Sequence, residues 1–209
     1  MSTPAAPLSM EIVRIRALRG PNLWSRHTAI EALVRCEAGC RPTPEFEARV
    51  RALFPGIGEQ WASHLVKPGS MAEVLEIAAL ALQSAAGCPV SFSRTQATVE
   101  PGVFQVVVEY TEEIVGRQAF DHARALLEAA AADAPFDAAA ASAALRATDE
   151  NVRLGPSTRS IVDAAVVRGI PWRRLTAGSL VQFGWGVKQR RIWAAAVDST
   201  SAVSETLAQ

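Results

Sequence analysis

Residues 70–110 read SMAEVLEIAALALQSAAGCPVSFSRTQATVEPGVFQVVVEY, and this stretch predicts one helix followed by two strands. Ser70 is placed to cap the helix, with Glu73 three residues later as its capping-box partner. The apolar residues that follow recur at the three- and four-residue spacing of a buried helical face. Gly87 suits the left-handed residue that commonly ends a helix, so we expect the helix to cover residues 70–86.

The same stretch continues into two strands, which we place at residues 90–99 and 103–110. Glu100, Pro101 and Gly102 lie between them and form a turn signal. In the second strand Phe104, Val106 and Val108 alternate with Gln105, Val107 and Glu109. We therefore expect that strand to be covered on both faces.

Helical and strand patterns continue on either side of this stretch. They predict a strand from Glu11, a short helix from Pro44, helices over about 112–132 and 137–148, an amphipathic helix that follows 154–158 and runs to 168, and a hairpin of 179–184 with 190–197. Residues 27–36, HTAIEALVRC, fit a helix and also a second strand that pairs with the first. Together these elements predict the α+β class, with a small mixed or antiparallel sheet packed with helices.

Composition excludes several classes of protein. Hydrophobic residues make up 49% and charged residues 20% of the 209, which excludes a wholly disordered chain. Lysine and arginine number 21 and aspartate and glutamate number 21, so global charge gives no reason to expect nucleic acid or a membrane surface as partner. The start has no secretory pattern, and the longest charge-free stretch, 77–93, is interrupted by polar residues and proline. We expect a cytoplasmic protein.

Cysteine and glycine motifs give mainly negative findings. Cys36, Cys40 and Cys88 are an odd number, so no disulfide framework follows, and we expect reduced, packed thiols. The spacing of Cys36 and Cys40 does not suit a zinc or redox pair, and His64 does not complete a structural site. The sequence has no phosphate-binding P-loop, dinucleotide fingerprint or Gly-x-Ser-x-Gly motif.

One cluster near the start of the chain suits a charged ligand. Arg14, Arg16 and Arg19 precede the loop GPNLWSRH at 20–27. Guanidinium groups beside Trp24 and an asparagine suit a ligand rich in carboxylates and guanidinium groups. The alternative is a solvated strand face followed by a turn.

Two further clusters lie near the end. LGPST at 154–158 opens a helix, where backbone N–H groups and hydroxyls form a site for a carboxylate, or an ordinary N-terminal cap. Three cations, Lys188, Arg190 and Arg191, are flanked by Trp185 and Trp193. A nucleic-acid stripe would have this composition, but a solvated hairpin is the preferred interpretation.

Several of these segments together resemble cyanophycin synthetases. They are LRGPNLWSRHTAIEALV (18–34), SFSRTQATVEPGVFQVVVEY (91–110), LGPSTRSIVDAAVVRGIPWRRLT (154–176) and VQFGWGVKQRRIWAAAVDSTSAVSETLA (181–208). The resemblance covers nearly the whole chain in order and is strongest to proteobacterial members.

The resemblance implies an ATP-dependent ligase that builds a polymer with a poly-aspartate backbone and an arginine on each side chain. It implies a flexible tail at 1–10, the family's N-terminal domain at 11–153, and an incomplete ATP-grasp segment at 154–209. ATP and Mg²⁺ would serve the full-length enzyme, and their binding residues and a Mur-ligase-like domain would follow Gln209. We therefore expect no cofactor and no catalytic residue in this portion, which should be inactive alone.

The expected partner is the aspartate–arginine polymer, together with the downstream domains and an oligomer formed through the full-length enzyme; no nucleic acid and no membrane are expected. We expect the polymer to contact Arg14, Arg19, Asn22, Trp24, Arg26, Arg94, Glu109 and Arg117. Glu100 and Glu112 are further candidates for its arginines. Ser157 and Thr158 are expected to hold the terminal carboxylate.

The chain departs from the family at one motif. Many members carry His-x-x-Glu-His on the helix after the capping serine, which accompanies a peptidase activity. Here residues 73–77 read EVLEI, so both histidines are replaced. We expect no metal and no peptidase activity, and Glu76 is interpreted as a solvated helix residue. A purely structural scaffold and, less favoured, a metallopeptidase remain the alternative functions.

Overall fold

The computed structural model describes residues 10–37, 41–63, 68–193 and 196–197. Residues 1–9, Cys40, His64 and the helical pattern expected at the end of the chain lie outside these ranges. The chain divides into two units: unit 1 comprises residues 1–18 and 28–151, and unit 2 comprises residues 19–27 and 152–209. Helices and antiparallel sheets occur in both, which confirms the α+β class.

Unit 1 contains a four-stranded antiparallel sheet. Its strands are β1 (Met10–Leu18), β2 (Ala29–Cys36), β3 (Ser93–Ala97) and β4 (Val103–Glu109), in the spatial order β1-β2-β4-β3. The segment that fitted both a helix and a strand is therefore strand β2. It lies between two neighbours, and Leu33 interrupts the alternation of its apolar and polar residues, which is why a helix also fitted. The expectation that β4 is covered on both faces is also confirmed.

Five helices belong to unit 1: α1 (Pro44–Leu53), α2 (Gly58–Ser63), α3 (Met71–Ala85), α4 (Glu113–Ala132) and α5 (Ala138–Val152). The predicted helices are confirmed, although α5 is longer than expected and α2 was not predicted. Helix α4 approaches the sheet closely, because a Cβ added at Gly116 would lie 2.9 Å from Ile30 Cγ1. This contact fixes α4 against the centre of the sheet.

Helix α3 is capped as the sequence predicts, with one shift. Ser70 Oγ accepts a hydrogen bond from Glu73 N at 3.3 Å, while Glu73 Oε2 accepts from Gly69 N at 2.5 Å rather than from Ser70. At the other end Gly87 takes a φ of 92°, and Cys88 N donates to Gln83 O at 3.0 Å. These contacts form a Schellman motif, so the helix ends where the glycine permits a left-handed residue.

The interpretation of Glu76 as a solvated residue is wrong, since only 2% of it is exposed. Helix α3 contacts α4, β3 and β4, and twelve of its fifteen residues are buried. A helix enclosed on this scale has almost no solvent face, so a charged residue in its middle becomes part of the interior.

Unit 2 contains helix α6 (Pro156–Val167) and the strands β5 (Trp172–Arg174), β6 (Leu180–Phe183), β7 (Arg190–Trp193) and β8 (Ala196–Val197). These strands form an antiparallel sheet in sequence order. The predicted hairpin is confirmed as β6 and β7, whereas β5 was not predicted and β8 pairs back onto β7. Leu154, Val162, Val181 and Ile192 form its core. Within the described ranges, no helix is long and apolar enough to cross a membrane.

Candidate binding surfaces

The sheet of unit 1 has one apolar and one charged face. Ile30, Ala32 and Val34 are fully buried on the face that meets the helices. Strand alternation and register place charged side chains on the opposite face. We call this surface the mixed-charge face and define it by Glu11, Arg14, Arg16, Glu31, Arg35 and Arg94.

The centre of the mixed-charge face is a buried carboxylate with three hydrogen bonds. Arg16 lies directly opposite Glu31 and donates to its Oε2 from Nη2 at 2.6 Å and from Nε at 2.9 Å. Gln105 Nε2 donates to the Oε1 atom at 3.2 Å. Glu31 is only 3% exposed, so these donors replace the water that its charge would otherwise require. Its role is structural.

The rim of the same face is exposed and carries both signs. The guanidinium of Arg35 lies 3.7 Å from a carboxylate oxygen of Glu11 and 3.6 Å from one of Glu100. Arg14 and Arg94 are exposed, and neither is paired with any carboxylate that the structure describes. On the mixed-charge face, these two are therefore the guanidinium groups that can bind an external carboxylate without first breaking an ion pair.

Two other predicted polymer contacts are engaged within unit 1. Glu109 is buried, and its Oε2 accepts hydrogen bonds from the backbone N–H groups of Ser91 and Phe92, both at 2.9 Å. Arg117 donates from Nε and Nη2 to Glu113 Oε1 at 3.0 Å along helix α4. Their contact with polymer stays a prediction.

Asn22 organises the loop at 19–27 of unit 2. Its Oδ1 accepts hydrogen bonds from the backbone N–H groups of Trp24 at 2.9 Å and Ser25 at 3.0 Å. Its Nδ2 donates to the carbonyl oxygens of Gly20 at 3.0 Å and His27 at 2.9 Å. These four bonds occupy both N–H donors and both acceptor sites of the side-chain amide, so the side chain holds the conformation of the loop.

The loop also forms one wall of a cleft of about 500 Å³. Arg26 lines it with Pro21, and the end of α6 contributes Val166 and Arg168. Trp172 closes the apolar side, while Arg19 is exposed and Trp24 is half-buried. No local sequence signal predicts that Arg26 and Arg168 line one cleft, because more than a hundred residues separate them.

The two hydroxyl residues at the start of α6 differ in exposure. Gly155 is the N-terminal cap, with no hydrogen bond from a side chain, and Pro156 is the first helical residue. Ser157 is exposed, whereas Thr158 is only 3% exposed. Of the predicted pair, Ser157 is the one whose hydroxyl can reach a ligand.

The sheet of unit 2 places two arginines in one cross-strand row, with a glutamine between them. Arg173 on β5 lies opposite Gln182 on β6, which lies opposite Arg191 on β7. We call these three side chains the cationic face. The sequence drew attention to Arg191, Lys188 and Arg190, all of which are exposed, but it missed Arg173 because β5 was not predicted.

Opposite net charges distinguish the two units. The sequence of unit 2 contains ten arginine and lysine residues and three aspartate and glutamate residues, a formal charge of +7. The remaining eleven cations and eighteen carboxylates give unit 1 a charge of −7. The balanced total therefore conceals two strongly charged parts.

No group of three His, Cys, Asp or Glu side chains that could hold a metal ion occurs among the residues the structure describes. Cys36 and Cys88 are buried, and neither forms a disulfide among the described residues, as expected. Burial raises the pKa of the Cys88 thiol, the Asp149 and Glu112 carboxylates raise it further, and a hydrogen bond with Thr111 opposes them.

Comparison with known proteins identifies the family. Residues 34–132 match the family model described as cyanophycin synthase-like N-terminal domain. The cyanophycin synthetases of Trichormus variabilis and Geminocystis herdmanii are both 34% identical to this chain over 95% of its length. That of a Synechocystis species is 33% identical over 88%. The chain spans about a quarter of the length of these relatives, 24%, 25% and 23% respectively. On these matches the chain belongs to the cyanophycin synthetase family.

Proposed function

We propose that this chain holds the growing polymer for a cyanophycin-synthesising ligase and is not catalytic by itself. The observation that carries the proposal is the mixed-charge face, where exposed Arg14 and Arg94 share one side of the sheet with Glu11, and where Arg35 lies between the carboxylates of Glu11 and Glu100. Each repeat of an aspartate–arginine polymer carries one carboxylate and one guanidinium group. A surface that offers both signs complements such a ligand along its length.

The strength of such binding depends on repetition. An exposed ion pair contributes about 0–1 kcal/mol, so one repeat would bind weakly. Several repeats on neighbouring strands would raise the affinity through their effective concentration. A multivalent surface of this kind holds a long polymer while allowing it to slide.

The second part of the proposal concerns the polymer end. The N-terminus of α6 presents backbone N–H groups and the exposed Ser157, and a helix N-terminus favours a carboxylate. We assign residues 154–209 to the start of an ATP-grasp domain, where ATP and Mg²⁺ would activate that carboxylate in the longer enzyme. The downstream ligase domains and an oligomer are the proposed protein partners.

The test is calorimetric titration of the 209-residue chain with β-Asp-Arg oligomers of increasing length, at low and moderate salt. Affinity should rise with length and fall with salt. Arg14→Gln and Arg94→Gln should each weaken binding about two- to fivefold, which corresponds to about 0.4–1 kcal/mol. Arg124→Gln removes one exposed charge from α4, where Arg124 is paired with Glu128, and is the matched control.

A second arm uses oligomers with an amidated carboxyl terminus. The free terminus should bind more tightly than the amide, and Ser157→Ala should remove that difference. Absence of binding at millimolar oligomer, with the chain shown to be folded, would overturn the proposal.

A structural scaffold is the second candidate function, and specific contacts favour it. Asn22, Glu109 and Arg117 were candidates for polymer contact, yet all three bind groups within their own unit. The scaffold function predicts that binding of the β-Asp-Arg oligomers is undetectable. It also predicts that Arg14→Gln and Arg94→Gln leave the titration unchanged. The titration above separates the two functions.

A further inference from the structure

Strand β3 is an edge of the unit 1 sheet with a regular backbone. It is the last strand in the order β1-β2-β4-β3, and its residues pair one to one with β4. Strand β1, at the other edge, has an irregular register between Ile12 and Arg14. Because a bulge disrupts the pairing of an edge with another chain, β3 is the edge better suited to accept an added strand.

Hydrogen bonds at the two ends of β3 fix which of its backbone groups bond to β4. Glu109 N donates to Phe92 O at 2.8 Å, and Thr98 N donates to Val103 O at 2.9 Å. Bonded pairs recur at every second residue of an antiparallel ladder. The even-numbered residues of β3 therefore bond to β4, and the odd-numbered residues point their N–H and C=O groups away from it.

The odd-numbered residues form an open row of backbone donors and acceptors. They are Ser93, Thr95 and Ala97. Throughout the described part of the chain, no hydrogen bond outside the β3–β4 ladder engages their backbone. Their side chains are small, and none of the three residues is buried. An extended polypeptide can therefore approach the open row closely enough for main-chain hydrogen bonds.

We infer that the open row binds the main chain of the polymer as a fifth strand of the sheet. This inference rests on the proposed function, in which the ligand is an aspartate–arginine polymer, and it specifies how unit 1 holds that ligand. Each repeat of the polymer contributes one main-chain N–H and one C=O group, as a residue of a protein strand does. An antiparallel segment beside β3 bonds to all three residues of the open row.

Side chains on the same strand favour this polymer over other extended chains. Arg94 and Gln96 are exposed and lie two residues apart on the side of the sheet that carries the mixed-charge face. The side chains of an added strand alternate between the two sides of the sheet, so every second repeat projects over that face at intervals of about 6.8 Å. A repeat directly opposite Arg94 lies about 4.5–5.5 Å away between Cβ atoms, so its carboxylate can pair with the guanidinium.

The uniform chemistry of the polymer suits strand addition. The register of an added strand is normally specified by its pattern of side chains. All repeats of this polymer are alike, so every register offers the same contacts, and the polymer can shift along β3 as it grows.

A second copy of the chain is the alternative occupant of the open row. Two β3 strands paired antiparallel in one sheet would place their Arg94 guanidinium groups on the same face, where like charges repel. A ligand that carries carboxylates on that face is therefore preferred.

Residue-resolved hydrogen exchange tests the main-chain bonds directly. A β-Asp-Arg oligomer of about ten repeats is added to the full chain until about nine-tenths of it is bound. Amide exchange at Ser93, Thr95 and Ala97 should then slow about tenfold, because it proceeds only from the unbound tenth. Amides along β1, the opposite edge, should change by less than about twofold. Ion pairs between side chains would leave the open row as it was.

A modified ligand tests the same bonds without changing the protein. An oligomer that is N-methylated at every main-chain amide keeps all its carboxylate and guanidinium groups. It has no main-chain N–H groups, and its methyl groups obstruct close approach to the edge. It should bind about tenfold or more weakly than the unmodified oligomer. Binding through side chains alone would give the two oligomers nearly equal affinity.

Thr95→Pro and Thr95→Val are matched protein variants. Both remove the hydroxyl, whose oxygen is buried and has no hydrogen-bond partner among the described residues. Only proline also removes the outward N–H, and it is tolerated where an edge N–H faces solvent. The Thr95→Pro variant should bind the oligomer about tenfold more weakly than the Thr95→Val variant. The N-methylated oligomer decides the question even where the proline variant does not fold.

The inference is overturned if the oligomer binds without slowing exchange in the open row, or if N-methylation leaves its affinity unchanged. The proposed function then stands without it. Slowed exchange in the open row at high protein concentration, without oligomer, would identify a second copy as the occupant and would also overturn the inference.

Oligo-asparagine separates the main-chain bonds from the polymer's charges, because its side chains are neutral. It should bind the open row about two- to fivefold more weakly than a β-Asp-Arg oligomer of equal length, since it lacks the pair with Arg94. If it slows exchange in the open row and binds as tightly as the β-Asp-Arg oligomer, strand addition stands and the proposed function fails. If neither ligand binds, both fail.

Discussion

Cys88 is a thiol whose surroundings suppress its ionisation. It follows helix α3, is buried, and its pKa is raised chiefly by loss of contact with water. The carboxylates of Asp149 and Glu112 raise the pKa further, and a hydrogen bond with Thr111 opposes them. Because the thiolate is the nucleophile, a thiol held protonated at neutral pH reacts slowly and has a structural role.

Alkylation should reveal this suppression. We expect iodoacetamide to modify Cys88 in the folded chain at least about tenfold more slowly at pH 8 than in urea. The raised pKa of Cys88 also makes the stability of the fold depend on pH, because the thiol of the unfolded chain loses its proton at a lower pH than the folded one. The stability that Cys88 contributes is therefore present below the ordinary pKa of a thiol and declines as pH rises through the raised value. Peptide-resolved mass spectrometry measures the rate, and equal rates in folded and unfolded chains would contradict the prediction.

The sequence could predict which arginines of β1 and β3 are exposed, but not which carboxylates are free. Arg14 and Arg94 occupy strand positions whose side chains point away from the helices, and strand periodicity alone indicates this. Glu109 is different, because its Oε2 accepts hydrogen bonds from the backbone N–H groups of Ser91 and Phe92, and those contacts depend on how β3 approaches β4. Hydrogen-bond partners distant in sequence have no local signal.

At the scale of elements, the β3–β4 connection depends on Gly102. Pro101 and Gly102 are the central residues of a turn closed by Val103 N donating to Glu100 O at 3.1 Å, and Gly102 has a φ of 78°. This pattern is typical of a type II turn. A Cβ at Gly102 would lie 2.6 Å from the carbonyl oxygen of Cys36, whose N–H donates to Gly102 O at 2.8 Å. The turn therefore also anchors the end of β2.

Gly102→Ala should lower the free energy of unfolding by about 1–3 kcal/mol, because it combines a strained φ with a clash against backbone. Urea denaturation measures the change. Gly58→Ala is the matched control, since Gly58 has helical φ and ψ and a Cβ there would meet nothing within 4 Å. That substitution should be neutral or stabilise the chain by up to about 1 kcal/mol. Equal effects of the two substitutions would contradict the role assigned to the turn.

Elements whose own residues carry a sequence signal are predicted. Elements that are defined by pairing with neighbouring strands are not. Helix α3 has a cap, an apolar face and a terminating glycine in sequence, so its bounds were expected within one residue. Strand β2 carries Leu33 on the same face as Glu31 and Arg35, and this apolar residue interrupts the alternation that identifies a strand. Strand β5 has only three residues, and its pairing with β6 defines it.

At the scale of the whole molecule, the two units carry opposite net charges, and unit 2 is built from two segments that are separated in sequence. Residues 19–27 belong with 152–209, although β1 and β2 of unit 1 flank them in sequence. Counting charges along the sequence shows eight cations and three carboxylates in 152–209, but only the fold adds Arg19 and Arg26 to that unit. A net charge of zero was therefore a poor guide to partners, because it averages parts of +7 and −7.

This division predicts how the chain behaves on ion-exchange resins. At pH 7 the sequence has a formal charge of zero, yet we expect a sulfonate resin to retain the chain at low salt, because adsorption follows local charge. Arg173→Gln/Arg191→Gln should elute at lower salt than Arg14→Gln/Arg94→Gln. Both variants have the same net charge, but in the second pair the arginines lie among the carboxylates of unit 1. If both variants elute at one salt concentration, or if the resin does not retain the wild type, net charge governs adsorption. Unit 2 then presents no cationic surface of its own.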